Sequence, residues 1–214
     1  MFRFCIFLFS FYISFSQNNF NKDGEKEGNW VGYHENGSIK YEGHFIKDKE
    51  VGVFTYYDYN GNLLIKLNYI DAGIMSEVEV YYANGFIKST GYYFNKEKHG
   101  VWISYNMKKE KISQEKYLNG LLHGECIYYY DNGVISERYY YSDGLRDGAV
   151  ELFYRSGSLN MQGNYYNDKL DGPATFYYHD NKIESEGQYF MGMKDSVWVF
   201  FSELGDTLNS INYR

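Results

Sequence analysis

The chain has 214 residues, with 26 Tyr, 16 Phe, 22 Gly and a single Pro, and a formal net charge of −7. So much aromatic surface excludes a disordered chain. The acidic balance gives no basic patch of the kind that nucleic acid or an anionic lipid surface attracts. In chain order, Met1-Phe2-Arg3 carries one positive charge, and Phe4 to Phe15 is an apolar run interrupted only by Ser10 and Ser14. Ser14 and Ser16 stand where small residues precede a cleavage before Gln17. Residues 1–16 therefore read as a secretory signal peptide, too short for a membrane span of about 20 residues. Export to a periplasm, an outer surface or the medium is the expectation, with retention of the segment as an anchor as the alternative. Past the signal Cys126 stands alone, so no internal disulfide is expected.

Residues 17–27 form a lead-in, and from residue 28 to 214 the sequence repeats every 24 residues without a gap. One column reads Gly28, Gly52, Ser76, Gly100, Gly124, Gly148, Gly172, Ser196. Two residues later stand Trp30, Phe54, Val78, Trp102, Cys126, Val150, Ala174 and Trp198. Five residues after the first column every row is aromatic: Tyr33, Tyr57, Tyr81, Tyr105, Tyr129, Phe153, Tyr177, Phe201. A second unbroken aromatic column runs Phe45, Tyr69, Tyr93, Tyr117, Tyr141, Tyr165, Tyr189, Tyr213. Eight in-phase rows make the repeat the organising fact of the chain.

Within each row a turn separates two strands. Asn36-Gly37, Asn60-Gly61, Asn84-Gly85 and Asn132-Gly133 read as two-residue type I′ hairpins. Lys108-Lys109 breaks that pattern, and a different turn is expected there. In the fifth row the strands fall near residues 124–130 and 134–141, the second alternating Ile135, Tyr139, Tyr141 against Ser136, Arg138, Tyr140. Polar connections such as Asp48-Lys49-Glu50 and Asp168-Lys169-Leu170 join successive rows. The predicted fold is all-β: an elongated, twisted antiparallel meander of about eight stacked hairpins, with the aromatics gathered on one side. Glycines at Gly43, Gly91, Gly163 and Gly187 weaken a strand unless a neighbouring ring needs the space.

The run from Gly28-Asn29-Trp30 through Gly43-His44-Phe45 resembles the MORN repeat, closest to the bacterial variant found in long arrays, some members of which are described as antitoxins of toxin–antitoxin pairs. The resemblance covers residues 28–214. It implies a sheet of stacked hairpins used for protein interaction or scaffolding. An exported chain, however, would be sent away from a cytosolic toxin. Rows three, four and eight depart from the pattern at Ser76, Glu115 and Ile211, which marks them as irregular or capping hairpins.

No catalytic constellation stands out. His34, His44, His99, His123 and His179 show no metal-ligand spacing. His99 and His123 share a column with Asp147, Asp171 and Asp195, but equivalent positions two strands apart are about 9.6 Å distant, so turn chemistry is the plainer reading. Asn36-Gly37-Ser38 is a formal glycosylation acceptor, better explained as a turn. Neither a cofactor nor a metal is expected. The aromatics Trp30, Tyr33, Tyr57, Tyr81, Trp102, Tyr105, Tyr129, Tyr177 and Trp198 are read as structural. The outer face of the first strands, with Thr55, Ile103, Ile127, Thr175 and Val199, is the candidate binding surface. The expected function is a non-enzymatic, exported scaffold for another protein. Lipid or glycan attachment and antitoxin action are the alternatives, and edge-strand self-association is the further expectation.

Overall fold

The computed structural model describes residues 17–213, so the segment read as a signal peptide lies outside the described residues. All the described elements are strands, nineteen of them, paired antiparallel in chain order into one open sheet. Eight hairpins account for most of it: Lys26–Tyr33 with Ile39–Ile46, Lys49–Tyr57 with Leu63–Asp71, Met75–Tyr81 with Ile87–Phe94, and Glu97–Tyr105 with Lys111–Leu118. Gly124–Tyr129 follows with Ile135–Ser142, Leu145–Phe153 with Leu159–Tyr166, Gly172–Tyr177 with Ile183–Phe190, and Met193–Phe201 with Thr207–Asn212. The two-residue strands Leu121–Leu122 and Lys169–Leu170 are the openings of the fifth and seventh first strands.

The turn chemistry is the reverse of the expectation. In the four hairpins that carry it, the Asn-Gly pair does not form a type I′ turn. In the first, the Gly37 amide donates to the His34 carbonyl and the His34 amide to the Ser38 carbonyl, and only Gly37 has a positive φ, at 83°. This is a type I turn closed by one left-handed residue, with the Asn36 carboxamide oxygen accepting from the Ser38 amide. Lys109 adopts the same position with φ 67°, and its amide donates to the Asn106 carbonyl, so the fourth hairpin keeps the common turn. The two-residue turns with both residues at positive φ lie instead between hairpins, at Lys47-Asp48, Asn95-Lys96, Asn119-Gly120, Asp143-Gly144, Asn167-Asp168 and Met191-Gly192.

The core is a stripe on one face. Trp30, Phe54, Val78, Trp102, Cys126, Val150, Ala174 and Trp198 are all buried, from 0 to 9% exposed. A single sheet has no second layer to cover such a stripe, so the rings lie on the preceding strand. A side-chain carbon built at Gly43 would stand 2.4 Å from the Phe54 ring, at Gly91 2.4 Å from Trp102, and at Gly187 2.5 Å from Trp198. Where the stripe residue is valine or cysteine the seat carries a side chain, and before Ala174 the seat is Gly163, with the end of Met161 lying against it. Leu67 precedes Val78, Glu115 precedes Cys126 and Tyr139 precedes Val150 in the same relation. The rows without the glycine are therefore size-compensated and not broken hairpins. Ser76 differs in another way: it lacks the positive φ that Gly52 and Gly100 show, and its pairing with Tyr69 continues the ladder where other rows carry a bulge.

The second aromatic column borders the stripe, with Phe45 against Phe54 at 5.1 Å and Tyr189 against Trp198 at 5.2 Å. A row of cations closes over the rings. Lys98 Nζ stands 4.6 and 4.5 Å from the Trp102 and Tyr117 ring centres, Lys194 4.0 Å from Trp198, Lys26 4.8 Å from Trp30, and the Arg146 guanidinium 4.2 Å from Tyr165. The first aromatic column faces the other way: the Tyr57 hydroxyl donates to Glu42 on the opposite face, across from the rings. The aromatics are thus divided between two faces and not gathered on one.

At the first edge the lead-in covers the sheet. Asn19–Phe20 pairs with Lys26 and Glu27, the Phe20 ring packs edge-on to Trp30 at 5.1 Å, and the Asn18 carboxamide makes both hydrogen bonds to the Val31 backbone.

Candidate functional site

Opposite the ring-bearing stripe, the middle residue of each first strand points to the other face. The alternation that buries Trp102 must turn Ile103 away from it. Thr55, Ile103, Ile127, Thr175 and Val199 occupy this one column, flanked in register by Glu42 and Lys66, Thr90 and Gln114, Gln114 and Arg138, Gln162 and Glu186, and Glu186 and Ser210. Four of the five are half-buried and Ile127 is buried. Trp30, Trp102 and Trp198 lie on the other face. Tyr57, Tyr81 and Tyr129 lie on this one, near the hairpin turns. Tyr33 is 57% exposed, while Tyr105 and Tyr177 are half-buried.

Sequence reasoning passed over the column two residues earlier: Asn29, Val53, Glu77, Val101, Glu125, Ala149, Pro173, Val197. Val53, Val101 and Val197 are 50, 42 and 52% exposed. The signal was present, since three valines recur in a position that the Trp column forces outward. Beside them the sheet is hollowed into shallow depressions. One, of about 630 Å³, is walled by Val53, Lys66, Glu79, Thr90, Tyr92 and Ile103. Others of about 360 and 280 Å³ lie near Val31 and Thr55, and near Glu151 and Thr175.

The polar groups of this face are largely engaged with one another. Arg138 bridges Glu125 at 3.4 Å and Glu151 at 2.5 Å. Lys111 Nζ donates to Gln114 and sits 4.7 Å from the Tyr129 ring centre. The hydrogen bond to Glu42, and after it burial, raises the Tyr57 hydroxyl above its ordinary range; burial, then Glu79, pushes Tyr81 up to about 12. Both are neutral donors at physiological pH. Such a surface offers methyl groups, aromatic rings and fixed hydrogen-bonding groups.

The remaining sequence candidates are placed elsewhere. His99 and His123 sit at the starts of first strands, and no group of three His, Cys, Asp or Glu able to hold a metal occurs among the described residues. Cys126 is fully buried, and burial pushes its thiol up, away from reactivity. Asn36 spends its side chain on the turn and on the Tyr59 carbonyl.

The family described as MORN repeat variant matches residues 26–47, 50–71, 122–143, 146–167 and 170–190, just over half of the chain. Curated proteins give no match. Among solved structures, the chain is similar to a mutant of S. aureus TarM in complex with fondaparinux, alpha-GlcNAc-glycerol and UDP, at 9% identity and a TM-score of 0.27, over 56% of this chain and 19% of that one. It is also similar to a GtfA/B complex bound to UDP and GlcNAc, at 11% identity and a TM-score of 0.25, over 54% and 22%. The chain spans about a fifth of the length of these proteins, and likeness at that level bears on neither fold nor function.

Proposed function

Because the chain belongs to the MORN repeat variant family, we propose that it is a non-enzymatic repeat scaffold that holds another protein against the face carrying Val53, Thr55, Val101, Ile103, Val197 and Val199. The observation that carries this reading is three exposed valines, Val53, Val101 and Val197, each beside Thr55, Ile103 or Val199 in a column that also carries Glu79 and Glu151, on a regular ladder of strands. Exposed apolar surface on a regular framework marks a contact site, and its flanking charges supply the polar rim that interfaces use. Export through the segment 1–16 is part of the proposal, and N-terminal sequencing of the native protein tests it.

The docking test is a photo-crosslinker placed at Val101 and, as a control, at Lys194 on the opposite face. A discrete adduct from Val101 alone is expected. Val101→Glu with Ile103→Glu should cut capture of that partner about tenfold, the equivalent of roughly 1.4 kcal/mol, with the β-sheet circular dichroism unchanged. Equal adducts from both faces would sink the assignment.

A further inference from the structure

The cation row on the ring-bearing face has a gap. Two residues ahead of the strand-one glycine column stand Lys26, Lys98, Arg146 and Lys194, each seated on rings. In the fifth and seventh repeats the position is leucine, at Leu122 and Leu170. In the second repeat it is Glu50, and in the third Ile74. Glu50 pairs with Phe45 in register, so its side chain stands on the face that carries the rings. Next to it is a cavity of about 210 Å³, walled by Glu50, Tyr56, Tyr69, Ile74, Tyr93 and Lys96. The cavity lies where the repeat position that carries a lysine or arginine in four other rows is Glu50 in one row and Ile74 in the next.

The electrostatics fit a cation. The Glu50 side chain is only 18% exposed and lies against the turn at Gly73, where an added side-chain carbon would stand 3.4 Å from its Oε2. Burial, and after it the charge of Glu50, raises the Tyr56 and Tyr69 hydroxyls, so both rings that line the cavity stay neutral beside one carboxylate. The cation paired with that carboxylate is Lys96, whose Nζ stands 3.5 Å from Oε1 on a side chain 73% exposed. With its lysine end in solvent and a separation of 3.5 Å, the pair is open to displacement by another ammonium group. A neutral aromatic wall with a single carboxylate attracts an ammonium group, more strongly where water is excluded.

We propose that this cavity receives the side-chain ammonium of a lysine presented by a partner polypeptide, in the seat that Lys26, Lys98 and Lys194 fill elsewhere from within the chain. The site lies on the face opposite the proposed docking stripe and stands whether or not that stripe binds anything. The internal cations favour lysine: the same ring-lined seat, built from the same repeat positions, holds lysine in three rows and arginine, at Arg146, in one.

The test is titration of the full chain with Nα-acetyl-lysine methylamide, read by the tyrosine ring resonances. A saturable shift is expected. Glu50→Gln should weaken it at least tenfold, and Lys96→Ala should tighten it severalfold by removing the internal competitor. Glu50→Lys should abolish it and raise Tm, because the chain then fills its own seat. The Nε-acetylated ligand, which lacks the charge, should give no saturable shift. The proposal is overturned by no saturable response, by an equal response to the acetylated ligand, or by a Glu50→Gln protein that keeps wild-type Tm and wild-type binding. A response to phosphocholine vesicles with none to lysine would overturn it equally.

Discussion

Gly91 and Trp102 show how a one-layer sheet can bury a tryptophan. The indole lies on the backbone of the preceding strand, and its Nε1 donates to the Tyr92 carbonyl at 3.0 Å. Trp198 repeats the arrangement over Gly187, donating to the Gln188 carbonyl. Adding one methyl at this seat forces an overpacked contact, which costs about 1–3 kcal/mol. Gly91→Ala should therefore lower stability by about 2 kcal/mol in urea unfolding. The same addition at Gly61, which meets nothing within 4 Å but holds φ at 82°, should act through backbone strain alone. Lys109 presents the opposite case. It holds φ 67° with a side chain that disfavours it, so Lys109→Gly should stabilise by about 1 kcal/mol in the same assay. The seat was legible in the sequence, because a glycine recurring inside a strand demands a steric reason. The turn type was not, because Asn-Gly suits both a type I′ turn and a type I turn closed by a left-handed glycine. Only the φ values separate them.

Successive hairpins are tied at their turns as well as along their strands. The hydroxyls of Tyr82, Tyr130, Tyr154 and Tyr178 each donate to a carbonyl one repeat further on: those of Tyr105, Phe153, Tyr177 and Phe201. His34 Nε2 makes the equivalent contact with the Tyr57 carbonyl at 3.0 Å. Asp58 and Asn106, in the same column, instead accept from amides within their own turn. The sequence hid this device because the column mixes tyrosine with ordinary turn residues, and neither type shows from composition that it bridges repeats. Tyr154→Phe keeps the ring stacked on His179, at 3.7 Å between centres, and removes only the hydroxyl. Loss of one such hydrogen bond should cost about 1 kcal/mol. Asn106→Ala should cost a similar amount while weakening only its own hairpin. Hydrogen exchange distinguishes the two, with loss of protection in two repeats for Tyr154→Phe and in one for Asn106→Ala.

Across the whole molecule the buried stripe is continuous in sequence but falls into two packed runs. Trp30, Phe45, Phe54, Leu67, Val78 and Trp102 form one, and Val150, Met161, Ala174 and Trp198 the other. Cys126 is fully buried yet belongs to neither, with Glu115 and Tyr139 on its flanks. In a repeat array, stability is close to a sum of unit and neighbour terms, so this junction is the weakest place to hold together. Amides of Gly124–Tyr129 should exchange faster than those of Glu97–Tyr105 and Met193–Phe201, which a native-state exchange experiment measures directly. Most of the architecture could be read from the 24-residue columns; the junction could not, because Cys fills a core position as plausibly as Val does. The unbroken 24-residue register also makes the protein a gauge. Each unit contributes two strands, about 9.6 Å of sheet, and ends in turns that stack on the next unit without reference to its number. Duplicating or deleting one unit in the gene would change the length of the sheet by one fixed increment, provided that the seat before each ring remains a glycine, as Gly91 is before Trp102. The length of the sheet would then be set in whole steps, like teeth on a rack.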